Sequence, residues 1–291
     1  MRELPSITNR DEPSRAAWIA AAPVGQLVTI ITAHLPSHTR SGIGLSAHHD
    51  RYEGHFHRLA LTSVFQPILS AVDGATIGHE GFVRAGADRQ LSPWSMFSRA
   101  AASADPDWLV ALDRLCRALH AANYFPHADD HWRLFLNVQA GLVSAVARDH
   151  GAVFAGILRL LGVSPERVVI QLPAGINDEP NHLRAAAQSF LARGFGLAIN
   201  FSGGASVLLA STLAASGATP VIVKIDAAAL PATTPLPQLV ADCRRRGLAT
   251  LIKRIGTADA ATTAIEAGAD LIQGFAFGQP EAPPRSGWRH S

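Results

Sequence analysis

Short apolar runs and longer helix-length stretches alternate along the chain from Thr62 onward. The apolar runs are rich in Val, Ile and Leu and have the length of buried strands, whereas the stretches between them are rich in Ala. Near-continuous apolar strands that alternate with helices are typical of a mainly parallel sheet covered by helices. The predicted strands cover residues 63–69, 76–83, 133–138, 167–172, 196–201, 220–225, 248–253 and 270–275.

Helices are predicted between these strands. Gly194, Gly247 and Gly268 each stand just after a helical stretch, where a residue in the left-handed conformation commonly closes a helix. Eight strands in roughly 220 residues predict an α/β fold, a (β/α)8 TIM-type barrel, rather than an open sheet. The predicted helices include residues 93–104, 107–122, 182–192, 238–246 and 258–267.

The first part of the chain follows a different pattern. Residues 1–60 contain scattered Pro, Ser and Gly and are interpreted as an N-terminal extension or linker. The barrel domain is then predicted over 61–283 and a C-terminal tail over 284–291.

One segment of this extension, residues 16–33, carries no charge. A membrane-spanning helix is disfavoured because the segment is at the short limit for a span and contains Pro23 and Gly25. A signal peptide is disfavoured because Glu3, Asp11 and Glu12 precede this segment, where a signal peptide would be basic. The favoured interpretation is a short helix followed by a strand, such as 27–31 with its β-branched residues.

The composition limits the partners and the compartment. Residues are 48% hydrophobic and 16% charged, which excludes a mainly disordered protein, and the net charge of +2 gives no broad basic surface for a nucleic-acid polymer. Cys116 and Cys243 have neither a CxxC nor a Cys/His spacing, which disfavours a disulfide framework and a structural zinc. We therefore expect a cytoplasmic location.

A histidine cluster lies late in the extension. Imidazole and carboxylate groups bind zinc or nickel, so a metal site is one interpretation of this cluster. Its ligand spacing is irregular, and solvated loop histidines are therefore the favoured interpretation. The cluster comprises His48, His49, His55 and His57, with Asp50 among them.

Polar residues interrupt or end most of the predicted strands. Burying an unpaired amide or charge is costly, so these side chains must either surround a pocket or satisfy one another. Taken alone, each could be a strand-end group hydrogen-bonded to backbone, but a set at one end of a barrel favours a site. The set comprises Glu80, Asn137, Gln171, Asn200, Lys224, Asp226, Lys253 and Gln273.

Four segments in order resemble the EAL-domain family of cyclic di-GMP phosphodiesterases. They are FQPIL at 65–69, GHEGFVR at 78–84, KID at 224–226 and QGFAFGQP at 273–280. Supporting matches are LSPWSMF at 91–97, ALDR at 111–114 and FLNV at 135–138.

The resemblance implies a modified (β/α)8 TIM-type barrel that binds cyclic di-GMP and, in active members, hydrolyses it with two divalent metals. It implies metal-ligand positions at Glu80 and Asn137, and a nucleotide-phosphate contact from Arg84. Site positions are implied at Lys224, Asp226 and Gln273, and ligand-lining positions at Gln66, Phe277 and Pro280. The resemblance also implies a possible homodimer through the segment that reads NFSGGASVL, 200–208, in this chain.

The chain departs from the family at several metal-ligand positions. Gln171 stands where a glutamate is expected, and Ala174 stands at a later glutamate. Asn200 replaces an aspartate. The motif Ala-Glu-Gly-Val-Glu-Thr reads IKRIGT from Ile252, so Lys253 occupies a glutamate position.

These departures change the charge of the site. The family set of three glutamates, three aspartates and one lysine sums to about −5, which suits two divalent cations. Glu80, Asp226, Lys224 and Lys253 sum to zero. We therefore expect no cofactor, with Mg²⁺ or Mn²⁺ only if residual activity exists, and only vestigial catalytic positions at Lys224, Lys253 and Gln273.

Lys253 has two interpretations. Its ammonium could replace a missing metal and pair with Glu80 or Asp226, leaving positive charge for an anionic ligand. Alternatively, it fills an inactive pocket.

The sequence therefore predicts a degenerate EAL domain that acts as a non-catalytic cyclic di-GMP receptor or regulatory module, with a protein partner. A protein-interaction scaffold without nucleotide binding and a weak metal-dependent phosphodiesterase are the alternatives.

Overall fold

The computed structural model describes residues 24–33, 35–48, 51–86, 107–139, 141, 143, 151–173, 180–215 and 221–283. The predicted helix at 93–104, the LSPWSMF match at 91–97, Ala174 and the tail at 284–291 lie outside these residues. Among the described residues, no helix is long and apolar enough to cross a membrane.

One sheet of ten strands contains all eight strands predicted from the sequence. The strands are β1 (Ile43–His48), β2 (Arg51–Phe56), β3 (Leu59–Ser70), β4 (Thr76–Ala85), β5 (Arg133–Asn137), β6 (Val168–Leu172), β7 (Gly196–Asn200), β8 (Val221–Asp226), β9 (Ala249–Lys253) and β10 (Leu271–Ile272). Strands β4 to β10 pair in parallel in chain order. The pairing of β3 with both β4 and β10 closes an eight-stranded barrel, which confirms the predicted fold class.

Strand β3 is antiparallel to both of its neighbours. A turn of five residues joins β3 to β4, with Gly74 in the left-handed conformation at a φ of 74°. Such a short connection permits only an antiparallel pair, because a parallel crossover needs a dozen or more residues. The barrel is therefore mixed.

Eight α-helices occur in the described part of the chain. They are α1 (Val24–Ile31), α2 (Ser37–Arg40), α3 (Asp107–Tyr124), α4 (Ala152–Leu160), α5 (Pro180–Leu191), α6 (Gly204–Ala214), α7 (Leu236–Arg245) and α8 (Ala258–Glu266). The predicted helices at 107–122, 182–192, 238–246 and 258–267 are confirmed. Both cysteines are buried and free, Cys116 in α3 and Cys243 in α7.

The strand predicted at 27–31 is wrong, because this segment lies in helix α1. Leu27 and Ile31 are fully buried and stand four residues apart, so they occupy one face of the helix. Burial of this apolar face outweighs the strand preference of the β-branched residues.

A hairpin of β1 and β2 extends the sheet beyond the barrel, since Gly54, His55 and Phe56 pair with the start of β3. Asn123 of α3 fixes this hairpin by accepting from the backbone N–H of Tyr52 and donating to its carbonyl. Residues before position 60 are thus hydrogen-bonded to the barrel, and the domain boundary at 60 stays a prediction.

The barrel interior is filled by one compact apolar cluster. Its buried members are Ile68, Phe135, Val169, Ala198, Ile222 and Leu251. Side chains on a strand alternate between its two faces, so residues two positions further along point inward as well. The next inward layer towards the carboxyl end contains the polar residues of the predicted site.

Candidate functional site

Side chains alternate between the two faces of each strand, and this alternation places the polar side chains in one layer of the barrel interior. Asn137, Gln171, Asn200, Lys224 and Lys253 each stand two residues after an apolar interior residue of the same strand. Gln66 stands two residues before Ile68, because β3 runs in the opposite direction. Side chains far apart in the sequence therefore converge at one end of the barrel.

A cavity of about 490 Å³ opens at this end. Seven predicted site residues line it, and five others do not. Those that line it are Gln66, Glu80, Asn137, Asn200, Lys224, Lys253 and Gln273. Those outside its lining are Arg84, Gln171, Asp226, Phe277 and Pro280.

Glu80 lies at the centre of a buried hydrogen-bond network. Its Oε1 accepts from Asn137 Nδ2 at 2.7 Å. Its Oε2 accepts from Lys224 Nζ at 2.6 Å and from Gln273 Nε2 at 2.7 Å. Both oxygens of this carboxylate, which is 4% exposed, are therefore already engaged by side chains of the barrel.

Lys224 is the counter-charge of Glu80 and is itself only 3% exposed. Its ammonium also donates to Gln171 Oε1 at 2.6 Å. Gln171 Nε2 is buried and has no hydrogen-bond partner among the described residues. Gln171 therefore lies beneath the cavity and contacts the ammonium rather than the open space.

The ionisation of the pair follows from burial and contact. Burial alone would raise the pKa of Glu80, but the charge of Lys224 and the three hydrogen bonds hold that pKa below its ordinary value. Burial lowers the pKa of Lys224, while Glu80 opposes this change. We take the state at neutral pH to be a carboxylate paired with an ammonium.

The closing motif is attached to β3 by side-chain and backbone contacts. Gln273 Nε2 reaches Gln66 Oε1 at 3.3 Å, and Gln66 Nε2 donates to the carbonyl of Gly278 at 3.0 Å. The backbones of Phe65 and Glu281 exchange hydrogen bonds, which places Pro280 beside β3. Gln273, Gly274 and Phe275 of this segment line the cavity.

Lys253 does not form the ion pair expected from the sequence. Its ammonium donates to Asn200 Oδ1 at 3.1 Å, whereas Glu80 is paired with Lys224. Asp226 is paired with Arg254, whose Nη1 lies 3.1 Å from its Oδ2. The pairing of Lys253 with Glu80 or Asp226 is therefore wrong, because closer cations already hold both carboxylates.

Sequence reasoning missed five residues that line the cavity: Phe82, Arg254, Gly256, Gly274 and Phe275. Phe275 is 65% exposed, whereas the predicted Phe277 packs against the apolar core. Arg254 stands where the family motif has glycine, and this departure was the available signal. Phe82 stands two residues after Glu80, so strand alternation could have found it.

Arg84 is not among the residues that line the cavity. Its Nη1 donates to the carbonyl of Val83 at 3.0 Å, and its guanidinium lies 6.0 Å from the ring centre of Phe82. The phosphate contact expected of Arg84 stays a prediction.

Gly274 permits the close approach of two segments at the cavity wall. A Cβ at this position would lie 2.0 Å from the carbonyl oxygen of Ile255. The backbones of 252–255 and 273–276 are joined here by hydrogen bonds. A residue with a side chain at 274 would force these segments apart.

The electrostatic character of the cavity lining is positive. Glu80 contributes one negative charge, and Lys224, Lys253 and Arg254 contribute three positive charges, so the lining sums to +2. Such a lining favours an anionic ligand.

The described residues contain no cluster of metal-ligating side chains. No group of three or more His, Cys, Asp or Glu side chains there is arranged to hold a metal ion. In the histidine cluster, Ser46 Oγ lies 3.1 Å from His48 Nε2 and 3.0 Å from His55 Nε2. His49 and Asp50 lie outside the described residues.

The sequence model of the EAL domain family matches residues 50–280. A search of curated proteins found no match.

Solved structures share the fold. A Bacillus subtilis YkuI protein with an EAL domain, in complex with c-di-GMP as substrate and calcium, is 20% identical with a TM-score of 0.65, and the match covers 79% of this chain and 57% of that one. A standalone versatile EAL protein from Vibrio cholerae O395, in its c-di-GMP bound form, is 21% identical with a TM-score of 0.62, covering 76% and 92%. The FimX EAL domain from Pseudomonas aeruginosa, bound to c-di-GMP, is 18% identical with a TM-score of 0.60, covering 76% and 91%. This chain therefore spans little more than half of the Bacillus subtilis protein.

Proposed function

The chain belongs to the EAL domain family, and on this premise we propose that it acts in cyclic di-GMP signalling as a degenerate, non-catalytic receptor for that nucleotide. The engagement of both Glu80 oxygens by Lys224, Gln273 and Asn137 is the observation that carries the proposal.

The cavity side chains do not fit the pair of divalent metals that the family resemblance implies. Mg²⁺ and Mn²⁺ require several hard oxygen ligands, mostly carboxylates. Among the described residues at this end of the barrel, Glu80 and Asp226 are the carboxylates, and each is already paired with a cation. An ammonium 2.6 Å from Glu80 would also repel a divalent ion at the same carboxylate.

The same features support nucleotide binding. Cyclic di-GMP carries two phosphodiester anions, and the lining charge of +2 is complementary to them. A volume of about 490 Å³ is within the range of small-molecule sites. The exposed ring of Phe275 offers a surface on which a base can stack. Solved relatives hold c-di-GMP in the same fold.

The cavity side chains are suited to binding a nucleotide rather than to catalysing its hydrolysis. Hydrolysis of a phosphodiester needs an activated water and stabilisation of the charge that develops on phosphate. Lys224 cannot act as a general base while it is protonated and paired with Glu80. The amides of Asn137, Asn200 and Gln273 can donate to a ligand but cannot remove a proton from water.

Calorimetric titration of the full chain with cyclic di-GMP in EDTA tests the proposal. We expect binding in EDTA that is unchanged by added Mg²⁺ or Mn²⁺, and no hydrolysis product with either metal. Turnover with Mn²⁺ would instead identify a phosphodiesterase. No heat at high micromolar nucleotide, with or without metal, would identify a protein scaffold.

A further inference from the structure

Arg254 has a backbone conformation that arginine rarely adopts. Its φ is 63°, in the left-handed region, where a side chain is less stable than glycine. Backbone hydrogen bonds hold the residue that follows, Ile255. Its N–H donates to the Gln273 carbonyl at 3.1 Å, and its carbonyl accepts from the Ala276 N–H at 3.1 Å. Strain that is held in this way at a cavity indicates a functional use of the side chain.

The turn places two consecutive cations in one cavity. In an extended strand, neighbouring side chains point to opposite faces, so an inward Lys253 would leave Arg254 facing outward. Both residues nevertheless line the cavity. The left-handed conformation at Arg254 therefore accounts for the position of the second cation.

Among the described cations that line the cavity, Lys253 and Arg254 are the ones still available to a ligand. Lys224 is neutralised by Glu80 in the buried floor. The Lys253 ammonium donates to the neutral amide of Asn200 and forms no ion pair among the described residues. Arg254 is paired with Asp226, but its side chain is 76% exposed, and ion pairs in that setting are weak.

Asp226 is positioned to hold Arg254 until an anion binds. Its Oδ2 accepts from Arg254, whereas its Oδ1 is buried without a hydrogen-bond partner among the described residues. A phosphodiester offers the guanidinium two acceptor oxygens in the fork geometry that arginine prefers. The anionic ligand and Asp226 would therefore compete for Arg254.

We propose that Lys253 and Arg254 form a two-cation subsite for a nucleotide phosphodiester at the cavity mouth, with Asp226 as the carboxylate that restrains Arg254. This assignment rests on the proposed function, since it concerns the same cavity. It names the groups that provide the positive charge for ligand binding without a metal.

Calorimetric titration of the full chain with cyclic di-GMP in EDTA tests the subsite through Arg254→Gly. We expect about tenfold weaker binding, since a charge-assisted hydrogen bond is lost, together with an equal or higher melting temperature because glycine relieves the backbone strain. A role in folding alone would lower the melting temperature and leave the affinity unchanged.

Arg245→Ala is the matched control. Arg245 is 68% exposed and lies 3.1 Å from Asp242, so it has nearly the same exposure and the same pairing distance as Arg254, but it lies on α7 outside the cavity lining. We expect unchanged affinity for this variant. An equal loss of affinity in Arg254→Gly and Arg245→Ala would show a general effect of net charge and would overturn the proposed subsite.

Asp226→Asn tests the competition. We expect several-fold tighter binding, because the amide no longer competes as an anion for Arg254. Weaker binding would overturn the restraining role of Asp226. If the unaltered chain binds and Arg254→Gly binds equally well, the subsite is wrong while the receptor function stands. If the unaltered chain does not bind at all, both are wrong.

Discussion

Replacing Glu80 by glutamine would test the buried network directly. Glu80 and Lys224 are 4% and 3% exposed, and their charged atoms lie 2.6 Å apart. The substitution leaves the Lys224 ammonium in the interior without its carboxylate. It also turns one acceptor oxygen into an NH₂ group that faces the donors Asn137 or Gln273. Breaking a buried ion pair by removing one partner costs about 3 to 5 kcal/mol.

For a chain of this size, that loss corresponds to a fall in melting temperature on the order of 10 °C. Chemical denaturation of Glu80→Gln measures the free energy of unfolding. The double variant Glu80→Gln with Lys224→Met should regain at least half of the loss, because it no longer buries an unpaired ammonium. Glu53→Gln is the control, since Glu53 is 34% exposed and 3.7 Å from His55, and it should change the stability by less than about 0.5 kcal/mol. A loss below about 1 kcal/mol for Glu80→Gln, or a double variant whose loss equals the sum of the single losses, would refute the reasoning.

Three further predictions concern activity, pH and backbone packing. Lys253→Glu alone should give no hydrolysis with Mg²⁺ or Mn²⁺, because amides still stand at other metal-ligand positions, and measurable product would contradict this. Burial lowers the pKa of His79 to about 4 and that of His120 to about 3, so the unfolded chain takes up protons first as the pH falls below 6.5. The two histidines should therefore reduce the free energy of unfolding by about 2 kcal/mol between pH 7 and 5.5, and a flat denaturation profile would count against their burial as neutral rings. Gly274→Ala should lower the melting temperature by several degrees, because its Cβ would meet the Ile255 carbonyl, and an unchanged melting curve would contradict that contact.

The alternation along each strand made the fold and much of the site predictable. The eight barrel strands follow from apolar runs of strand length, and polar residues at their carboxyl ends mark the cavity. Gln66, Asn137 and Gln273 line the cavity as predicted from motif and position. These features are local, because a residue's face on a strand depends only on its place in that strand.

Other features depended on contacts that are distant in the sequence. Residues 27–31 have strand propensity but form a helix, because burial against the rest of the domain selected the helical face. Phe275 rather than Phe277 lines the cavity, because the chain turns away from the strand direction within the closing motif.

The sequence by itself determined the order of the strands, the layer of polar side chains at one end of the barrel and the shortage of carboxylates in that layer. Only the tertiary structure decided which cation holds which carboxylate: Lys224 holds Glu80, and Arg254 rather than Lys253 holds Asp226. The attraction within an ion pair depends on the distance between its charges and on the local dielectric, and both are set only when separate strands close into a barrel. A left-handed turn at one residue also brought Arg254 into the cavity, which no strand periodicity predicts.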